Sequence, residues 1–278
     1  MTTETKILQS AALALAIIGG GCLPTPGLSA TAFAGDVDVK ELMKSAEQGE
    51  MEAQYNLAIH YLKGDGVVED AAEAVKWFRK AAEQNDADAQ FNLGVCHANG
   101  DGVREDAAEA VRWFRKAAEQ GFARAQYNLG VGYESGNGVG KDAAEAAKWF
   151  RKAAEQGHVN AQYNLGLCYE NGDGVGRDAA ESARWYRKAA EQGLAEAQYN
   201  LGVCYHNGAG VGWDAAEAVR WFRKAAGQGL AEAQHNLGVC YHNGVGVGRD
   251  TAEAVRWLRK AADQGDADAR KALKKITR

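Results

Sequence analysis

The chain has 278 residues, of which 46% are hydrophobic and seven are Trp, so its composition excludes an intrinsically disordered protein. Its formal net charge of -5 provides no basic footprint, which argues against a nucleic-acid partner. Gly accounts for 34 residues and Pro for only two, Pro24 and Pro26, both near the N-terminus. The body of the chain therefore contains one type of helix breaker, glycine, at regular spacing.

The N-terminal segment differs in composition from everything that follows it. Lys6 is followed by an apolar run at residues 7–23, and a stretch of small residues then ends in Ala-Phe-Ala at 32–34. A basic residue, an apolar core and an A-x-A site are typical of a secretory signal peptide. We therefore predict that residues 1–34 are a signal peptide cleaved after Ala34, and that the mature chain is periplasmic or secreted.

Two alternatives exist for this segment. A transmembrane anchor would need a longer apolar stretch than this one, which three glycines interrupt at 19–21. A lipoprotein would be anchored through Cys22, but the branched apolar residue usual before a lipidated cysteine is missing. No other segment of the sequence is apolar enough to cross a membrane.

From Ala53 onward, a 36-residue pattern recurs with few changes. Six full repeats are predicted at residues 53–88, 89–124, 125–160, 161–196, 197–232 and 233–268. Residues 37–48 match the second half of the pattern and residues 269–276 match its beginning, as expected of half-repeats that cap the two ends of a stack. The repeat domain thus covers residues 35–278.

Each repeat encodes two helices. In the fourth repeat, the first helix ends near Gly172 and the second begins at Asp178, followed three residues later by Glu181. This D-x-x-E spacing predicts a capping box, in which Asp accepts from the backbone N–H groups at the helix start and Glu reaches back. The second helix ends at Gly193, and in the first repeat Asn85 takes the corresponding place because Asn also tolerates a positive φ.

The apolar positions predict how the helices pack. In the fourth repeat, Ala161, Leu165 and Cys168 share one side of the first helix, while Trp185 and Tyr186 supply apolar surface on the second. A glycine at the sixth position of most repeats should let two helices approach closely. One repeat has too small a core to be stable alone, so neighbouring repeats must stack. The sequence therefore predicts an all-α fold of helix–turn–helix hairpins in a row, a solenoid.

These residues resemble the Sel-one-like repeat family, a relative of the tetratricopeptide repeats. The resemblance covers residues 37–276 and rests on the A-x-Y-N-L-G, G-x-G-V, A-E-A and W-F-R-K-A-A-E-Q-G blocks in combination. It implies a right-handed α–α superhelix whose first helices line a concave groove, and a role as a scaffold that assembles protein complexes.

Four of the five cysteines occupy one repeat position: Cys96, Cys168, Cys204 and Cys240. Equivalent atoms of stacked repeats should lie about 8–10 Å apart, whereas a disulfide needs Cα atoms roughly 4.4–6.8 Å apart. We therefore expect reduced, buried thiols. Some members of the resembled family have disulfides within each repeat, but this chain lacks the second cysteine of each pair.

Other chemical sites find little support in the sequence. Cys204, His206, Cys240 and His242 could suggest a metal site, but residues two apart on a helix point to nearly opposite sides. The glycine loops have the wrong spacing for phosphate binding. We predict no catalytic, cofactor or metal site, and hence not an enzyme. The alternative implied by the resemblance is a β-lactam or cell-wall hydrolase with weak penicillin-hydrolysing activity, to which no residue here can be assigned.

One row of the first helices remains for binding, formed by the third, seventh and tenth positions of the repeats. It is flanked one turn earlier by Asp88, Arg124, Asn160, Glu196 and Glu232. The third position holds Tyr55, Phe91, Tyr127, Tyr163, Tyr199 and His235; the tenth holds Glu134, Glu170, His206 and His242 in the last four repeats. An aromatic row fringed by acidic residues suits an extended peptide with some positive charge. The alternative is that these tyrosines pack between helices. Trp213 stands where other repeats have charged residues, and is either a further contact or packed on a neighbouring loop.

Overall fold

The computed structural model describes residues 39–277, which form 14 α-helices and no strand. The predicted signal peptide at 1–34, and Cys22 of the lipoprotein alternative, lie outside these residues. Within residues 39–277, none of the helices has the length and apolarity needed to span a membrane. The described residues divide into two compact units, the first ending at Gln156 and the second beginning at Gly157.

The helices follow each other at regular intervals in both units. The described part of the first unit contains α1 (Val39–Glu47), α2 (Met51–Lys63), α3 (Ala71–Glu83), α4 (Ala87–Asn99), α5 (Ala107–Glu119), α6 (Ala123–Ser135) and α7 (Ala143–Glu155). The second unit contains α8 (Val159–Asn171), α9 (Ala179–Glu191), α10 (Ala195–Asn207), α11 (Ala215–Gly227), α12 (Ala231–Asn243), α13 (Thr251–Asp263) and α14 (Ala267–Ile276).

Helices adjacent in sequence pack as hairpins within each unit. The even-numbered helices α2 to α12 are the first helices of the repeats, and the odd-numbered helices α3 to α13 are the second helices. α1 packs on α2 at one end of the described residues, and α14 packs on α13 at the other. The predicted all-α fold of tandem helix–turn–helix repeats is confirmed.

The second helices begin at the predicted aspartates. In α11, a carboxylate oxygen of Asp214 accepts a hydrogen bond from the Glu217 N–H at 2.9 Å. The reciprocal half of the capping box is absent, because the Asp214 N–H donates to the Tyr205 carbonyl oxygen at 3.0 Å. Glu217 pairs with Arg220 instead, at 2.7 Å. The N-cap prediction is therefore confirmed, while the prediction that Glu reaches back is wrong.

The helix ends also agree with the sequence pattern. First helices end at a glycine in the left-handed region, as at Gly208 with φ 68°. Two residues after the last residue of each second helix, the backbone has a positive φ. This residue is Gly in the later repeats and Asn85, with φ 75°, in the first repeat. Asn85 is the one non-glycine residue with a positive φ among those described, as its place in the repeat predicts.

Each hairpin closes around a side chain that rests on a glycine. A Cβ atom added to Gly202 in α10 would lie 2.7 Å from Phe222 Cδ1 in α11 and 3.2 Å from the Ala218 carbonyl oxygen. The glycine therefore makes room for a ring as well as for a helix backbone. Gly94, Gly130 and Gly166 seat Phe114, Phe150 and Tyr186 in the same way, and Gly238 seats Leu258.

A pair of glutamines joins the two helices of each repeat and, in the fifth repeat, also binds the preceding repeat. Gln198 in α10 is buried; its Nε2 donates to the Ala190 carbonyl oxygen at 3.1 Å, and its Oε1 accepts from Gln228 Nε2 at 2.9 Å. Gln228 Nε2 also donates to the Gly193 carbonyl oxygen, at 2.8 Å. The corresponding side-chain pairs are Gln54–Gln84, Gln90–Gln120, Gln126–Gln156, Gln162–Gln192 and Gln234–Gln264. Since an unpaired buried amide costs about 1–3 kcal/mol, both glutamines occur in every repeat.

The tryptophans of the second helices seal the core between hairpins. Trp221 packs with Tyr186 of α9 and Leu201 of α10. Its outer surface is covered by Lys224, whose Nζ lies 3.8 Å from the ring centroid. Trp149 and Trp185 are 7% and 5% exposed, so they are buried as a stacked array requires. The W-F-R-K block thus places the core ring and its lysine cover in one helical turn.

The cysteines lie in the same core. Cys96, Cys168, Cys204 and Cys240 are all buried, and none forms a disulfide. Burial raises the pKa of the Cys240 thiol, which opposes formation of the reactive thiolate. The prediction of buried thiols that act as small apolar side chains is confirmed for the structure.

We expect Gly202→Ala to lower the stability of the chain by about 1–3 kcal/mol, because the added methyl group overlaps the Phe222 ring. Gly212→Ala is the matched control in the same repeat, since a Cβ there meets nothing within 4 Å, and it should change stability by less than about 0.5 kcal/mol. Urea unfolding followed by circular dichroism at about 222 nm measures both. Equal midpoints for the two variants would contradict this packing.

Candidate peptide-binding surface

The structure places one residue of the predicted aromatic row on each first helix. In the first unit the row contains Tyr55 on α2, Phe91 on α4 and Tyr127 on α6; in the second unit it contains Tyr163 on α8, Tyr199 on α10 and His235 on α12. We call these residues, together with the tenth-position residues of the same helices, the first-helix face. Each unit has its own part of this face.

The aromatic rings of the row pack against the second helix of their own hairpin. Tyr199 stacks on Phe222 with ring centroids 5.9 Å apart, and Tyr127 stacks on Phe150 at the same distance. Tyr55, Phe91 and Tyr163 make the equivalent contact with Phe78, Phe114 and Tyr186 at 5.8 Å. Tyr127 is only 3% exposed, whereas the others are half-buried. These rings therefore support the hairpins, and the half-buried ones also reach the surface.

Three phenol groups connect a hairpin to the next hairpin of the same unit. Tyr163 is hydrogen-bonded to Asn200, and Tyr199 to Asn236, in each case on the following first helix. In the first unit, Asn92 Nδ2 donates to the Tyr55 hydroxyl at 3.4 Å. These hydrogen bonds hold neighbouring first helices in register. They therefore also fix the spacing of the side chains that flank the row.

Carboxylates surround the tyrosines of the second unit. The pKa of Tyr163 is raised mainly by burial, and then by the charges of Glu196, Glu170 and Glu232. Burial also raises the pKa of Tyr199, with contributions from Glu232, Asp266 and Glu170. Because both phenols interact with the same carboxylates, these acidic groups lie close together along α8, α10 and α12. The face of the second unit therefore carries a concentrated negative charge.

Two of these carboxylates are held in place by neighbouring side chains. Tyr186 donates its hydroxyl hydrogen to Glu170 Oε2 at 2.5 Å. His235 Nδ1 lies 3.2 Å from Asp266 Oδ2, so the His235 ring belongs to the acidic part of the face. Both side chains of this histidine–aspartate pair are about one-fifth exposed. A cation approaching this face would meet carboxylates whose positions are already restricted.

The first unit differs in charge. Burial and then Glu134 raise the pKa of Tyr127, so Glu134 lies beside the row as predicted. Burial raises the pKa of Asp88, but the Arg124 guanidinium opposes that shift. Acidic and basic groups are therefore mixed on this part of the face, in contrast to the second unit.

The remaining predicted residues occupy different surroundings. His206 is exposed on α10, with its ring 6.4 Å from that of Phe222. His242 is half-buried on α12, and its Nδ1 is buried without a hydrogen-bond partner. Among residues 39–277, no group of three or more His, Cys, Asp or Glu side chains could hold a metal ion. Trp213 lies in the loop between α10 and α11, immediately before the N-cap of α11, and is 68% exposed.

The sequence pattern found most of the acidic group. It places Glu196 and Glu232 one helical turn before the row on the same face, although they are not among the candidate binding residues, and it misses Asp266. Asp266 was not considered because it belongs to the link into α14, where it caps the helix by accepting from the Asp268 and Ala269 N–H groups. Its position immediately before a predicted helix start is the sequence signal that could have identified Asp266.

The tyrosines should titrate abnormally. Burial raises the pKa of Tyr127, Tyr163 and Tyr199, so the folded state keeps these phenols neutral where the unfolded chain ionises near pH 10. The resulting stability is complete below about pH 10 and is lost as pH rises above it. Absorbance at about 295 nm should show late ionisation that coincides with unfolding, and Tyr163→Phe should remove part of it. Ionisation of all ten tyrosines in one step in the folded protein would contradict this.

Comparisons with known proteins agree with the repeat geometry. The model of the Sel1 repeat family matches residues 52–86, 87–122, 123–158, 159–194, 195–230 and 231–266. The last five of these segments begin at the first residue of a first helix. A comparison with curated proteins finds no significant match.

Two solved structures are similar over most of the chain. One is a protective antigen present in uropathogenic Escherichia coli strains that displays an SLR fold, with 42% identity, a TM-score of 0.82, and coverage of 87% of this chain and 52% of that one. This chain thus spans about half the length of the E. coli protein. A Sel1 repeat protein from Oxalobacter formigenes has 38% identity and a TM-score of 0.69, with 80% of this chain and 89% of that chain covered. The chain therefore belongs to the Sel1 repeat family.

Proposed function

We propose that this chain is an exported, non-catalytic scaffold that binds an extended, positively charged peptide segment of another protein. The observation that carries the proposal is the group of carboxylates around Tyr163 and Tyr199 on the first-helix face of the second unit. Sel1 repeat proteins are typically protein-interaction scaffolds, which supports a binding role.

The geometry of the second unit suits an extended ligand. Equivalent positions of neighbouring first helices are separated by about 10 Å when helices pack at ordinary distances, and an extended chain advances about 3.3 Å per residue. A segment of about seven residues would therefore pass α8, α10 and α12 in turn. The half-buried rings of Tyr163 and Tyr199 offer apolar contact, and the flanking carboxylates offer partners for Lys or Arg.

The binding test uses a fluorescein-labelled peptide of twelve alternating Lys and Ser residues, with a Glu–Ser peptide as the control ligand. Glu196→Gln combined with Glu232→Gln removes two carboxylates beside the tyrosines. Because exposed ion pairs contribute about 0.2–1 kcal/mol each, we expect the affinity for the Lys–Ser peptide to fall about fivefold. Fluorescence anisotropy at low salt measures the change.

Glu191→Gln combined with Asp263→Asn is the matched control, because it removes the same charge from exposed positions on the second helices α9 and α13. This control should bind the Lys–Ser peptide within about twofold of the wild type. Equal losses in both double variants would show that overall charge, not this face, attracts the peptide. If the wild type bound the Glu–Ser peptide as tightly as the Lys–Ser peptide, the acidic face would likewise not be what selects the ligand.

Export rests on the N-terminal sequence. The protein expressed with its own first 34 residues in a bacterial host should be recovered from the periplasm or medium with Gly35 as its first residue. Ala32→Lys combined with Ala34→Lys should block cleavage, because the peptidase accepts small residues at these positions. N-terminal sequencing and intact mass decide the outcome. A mature chain that retains Met1, or is lipidated at Cys22, would contradict the proposed cleavage.

Scaffolding is the one function proposed. The regularly placed carboxylates serve as helix caps, as Asp214 does, or as ion-pair partners, as Glu217 does. No observation on the described residues favours the hydrolase alternative.

A further inference from the structure

The fifth repeat departs from all the other repeats at two exposed positions. Gly227 stands where all five others have Glu or Asp. Trp213 replaces a residue that is charged in every other repeat: Glu69, Glu105, Lys141, Arg177 and Arg249. The first change removes a negative charge, and the second introduces an aromatic ring. In a chain whose repeats are otherwise so similar, this concentration points to a surface with its own purpose.

Trp213 has no packing role that the fold requires. It immediately precedes Asp214, the N-cap of α11, and is 68% exposed. Charged side chains hold the same position in the sister hairpins, which fold in the same way. Exposed large apolar side chains are rare among the described residues, and besides Trp213 they are Met51 and Val68, of which Met51 is much less exposed. An exposed Trp in such a place is typical of a contact residue.

Basic side chains lie on the helix that follows. Arg223 and Lys224 are exposed on α11, and Gly227 continues the same side of the helix at spacings of four and three residues. Arg223 Nη2 donates to the Tyr241 hydroxyl at 2.9 Å, and Lys224 lies over the Trp221 ring. These neutral partners position both cations without cancelling their charge.

The neighbouring second helices of the same unit do not offer this combination. α9 and α13 carry the same Arg–Lys pair, but each also has an exposed carboxylate three residues after the lysine, Glu191 in α9 and Asp263 in α13. Neither has a Trp before its N-cap. Only the fifth repeat joins an exposed indole to a pair of cations without that carboxylate.

We propose that Trp213, Arg223, Lys224 and Gly227 form a second docking surface, the Trp213 surface, which binds an acidic segment of a partner protein that contains an aromatic residue. The indole of Trp213 provides the apolar contact, and Arg223 and Lys224 bind the carboxylates of the partner. Gly227 leaves space for these carboxylates and has no negative charge to repel them. This surface prefers the opposite charge from the acidic face of α8, α10 and α12. The scaffold can thereby hold two segments of opposite charge at once.

The geometry defines the ligand more closely. Ten residues separate Trp213 from Arg223, which corresponds to about 15 Å at the helical rise of about 1.5 Å per residue. An extended peptide covers this distance in about four or five residues. The expected segment therefore has carboxylates four or five residues from its aromatic side chain. Proteins that bind a polyanion such as nucleic acid commonly neutralise about six to ten of its charges. Two cations are too few for such a ligand, so a short acidic peptide fits this surface better.

The test uses a fluorescein-labelled twelve-residue peptide with one Phe and, four to six residues further on, three Glu in a Ser background. Trp213→Arg and Gly227→Glu each introduce a residue that sister repeats have at that position, so both variants should fold. Each should weaken binding about tenfold, which corresponds to about 1.4 kcal/mol. Gly140→Glu, which adds the same charge as Gly227→Glu at an exposed position with no neighbour within 4 Å of a Cβ, should bind normally.

Trp213→Arg separates the proposal from simple charge attraction. A surface that recognises charge alone would bind the acidic peptide more tightly after this substitution, whereas the loss of the indole contact weakens it. In the wild type, the peptide should also protect Trp213 from iodide quenching. Unchanged or tighter binding by Trp213→Arg, or displacement of the peptide by heparin from wild type and variant alike, would overturn the proposal.

The two binding tests fail independently. Trp213→Arg should bind the Lys–Ser peptide as the wild type does, while the Glu196→Gln and Glu232→Gln variant should retain the acidic peptide. Loss of both peptides in Trp213→Arg, with an unchanged circular dichroism spectrum, would contradict a separate surface.

Discussion

The contact between a glycine on the first helix and a ring on the second determines much of each hairpin. Because Gly202 has no side chain, the Phe222 ring can pack against it. The Phe222 ring packs against the ring of Tyr199, which belongs to the row beside the carboxylates. Tyr199 in turn is hydrogen-bonded to Asn236 of the next first helix. A single absent methyl group thus connects core packing, the register between repeats and the placement of the candidate surface. Close-packed interiors respond to changes of this size because there is no free volume to absorb them.

Two further interactions explain why the repeats vary so little. The hydrogen-bonded Gln198–Gln228 pair satisfies carbonyl groups of the preceding hairpin, and loss of the exposed Gln228 would remove the partner of the buried Gln198 amide oxygen. Trp221 fills the space between hairpins and is covered by Lys224. Each repeat therefore depends on its neighbour for part of its core and part of its hydrogen bonding, as expected of an array that cannot be stable one repeat at a time.

Positions outside this framework are where the repeats differ and where the proposed surfaces lie. Glu196 and Glu232 belong to the variable edge of the first helices, and they make the second unit acidic where Arg124 makes the first unit mixed. Trp213 and Gly227 change the character of the fifth repeat without touching its core. The framework holds the helices in place, and in the proposed function the variable positions select the partner. This division permits one fold to present surfaces of opposite charge.

Periodicity alone was enough to establish the all-α hairpin repeat, its helix ends and its buried positions, because Asp214, Gly208 and Asn85 act through local backbone geometry that neighbouring residues specify. The tertiary structure decided what depends on contacts between residues that belong to different helices. It showed that the Tyr205 carbonyl takes the N–H that a capping box would use, and that the tyrosine row packs inward while Asp266 joins the acidic group. These outcomes depend on which hydrogen-bonding groups and charges come into contact when hairpins stack. A repeat pattern gives the spacing of residues along the chain, but it does not give the contacts between helices.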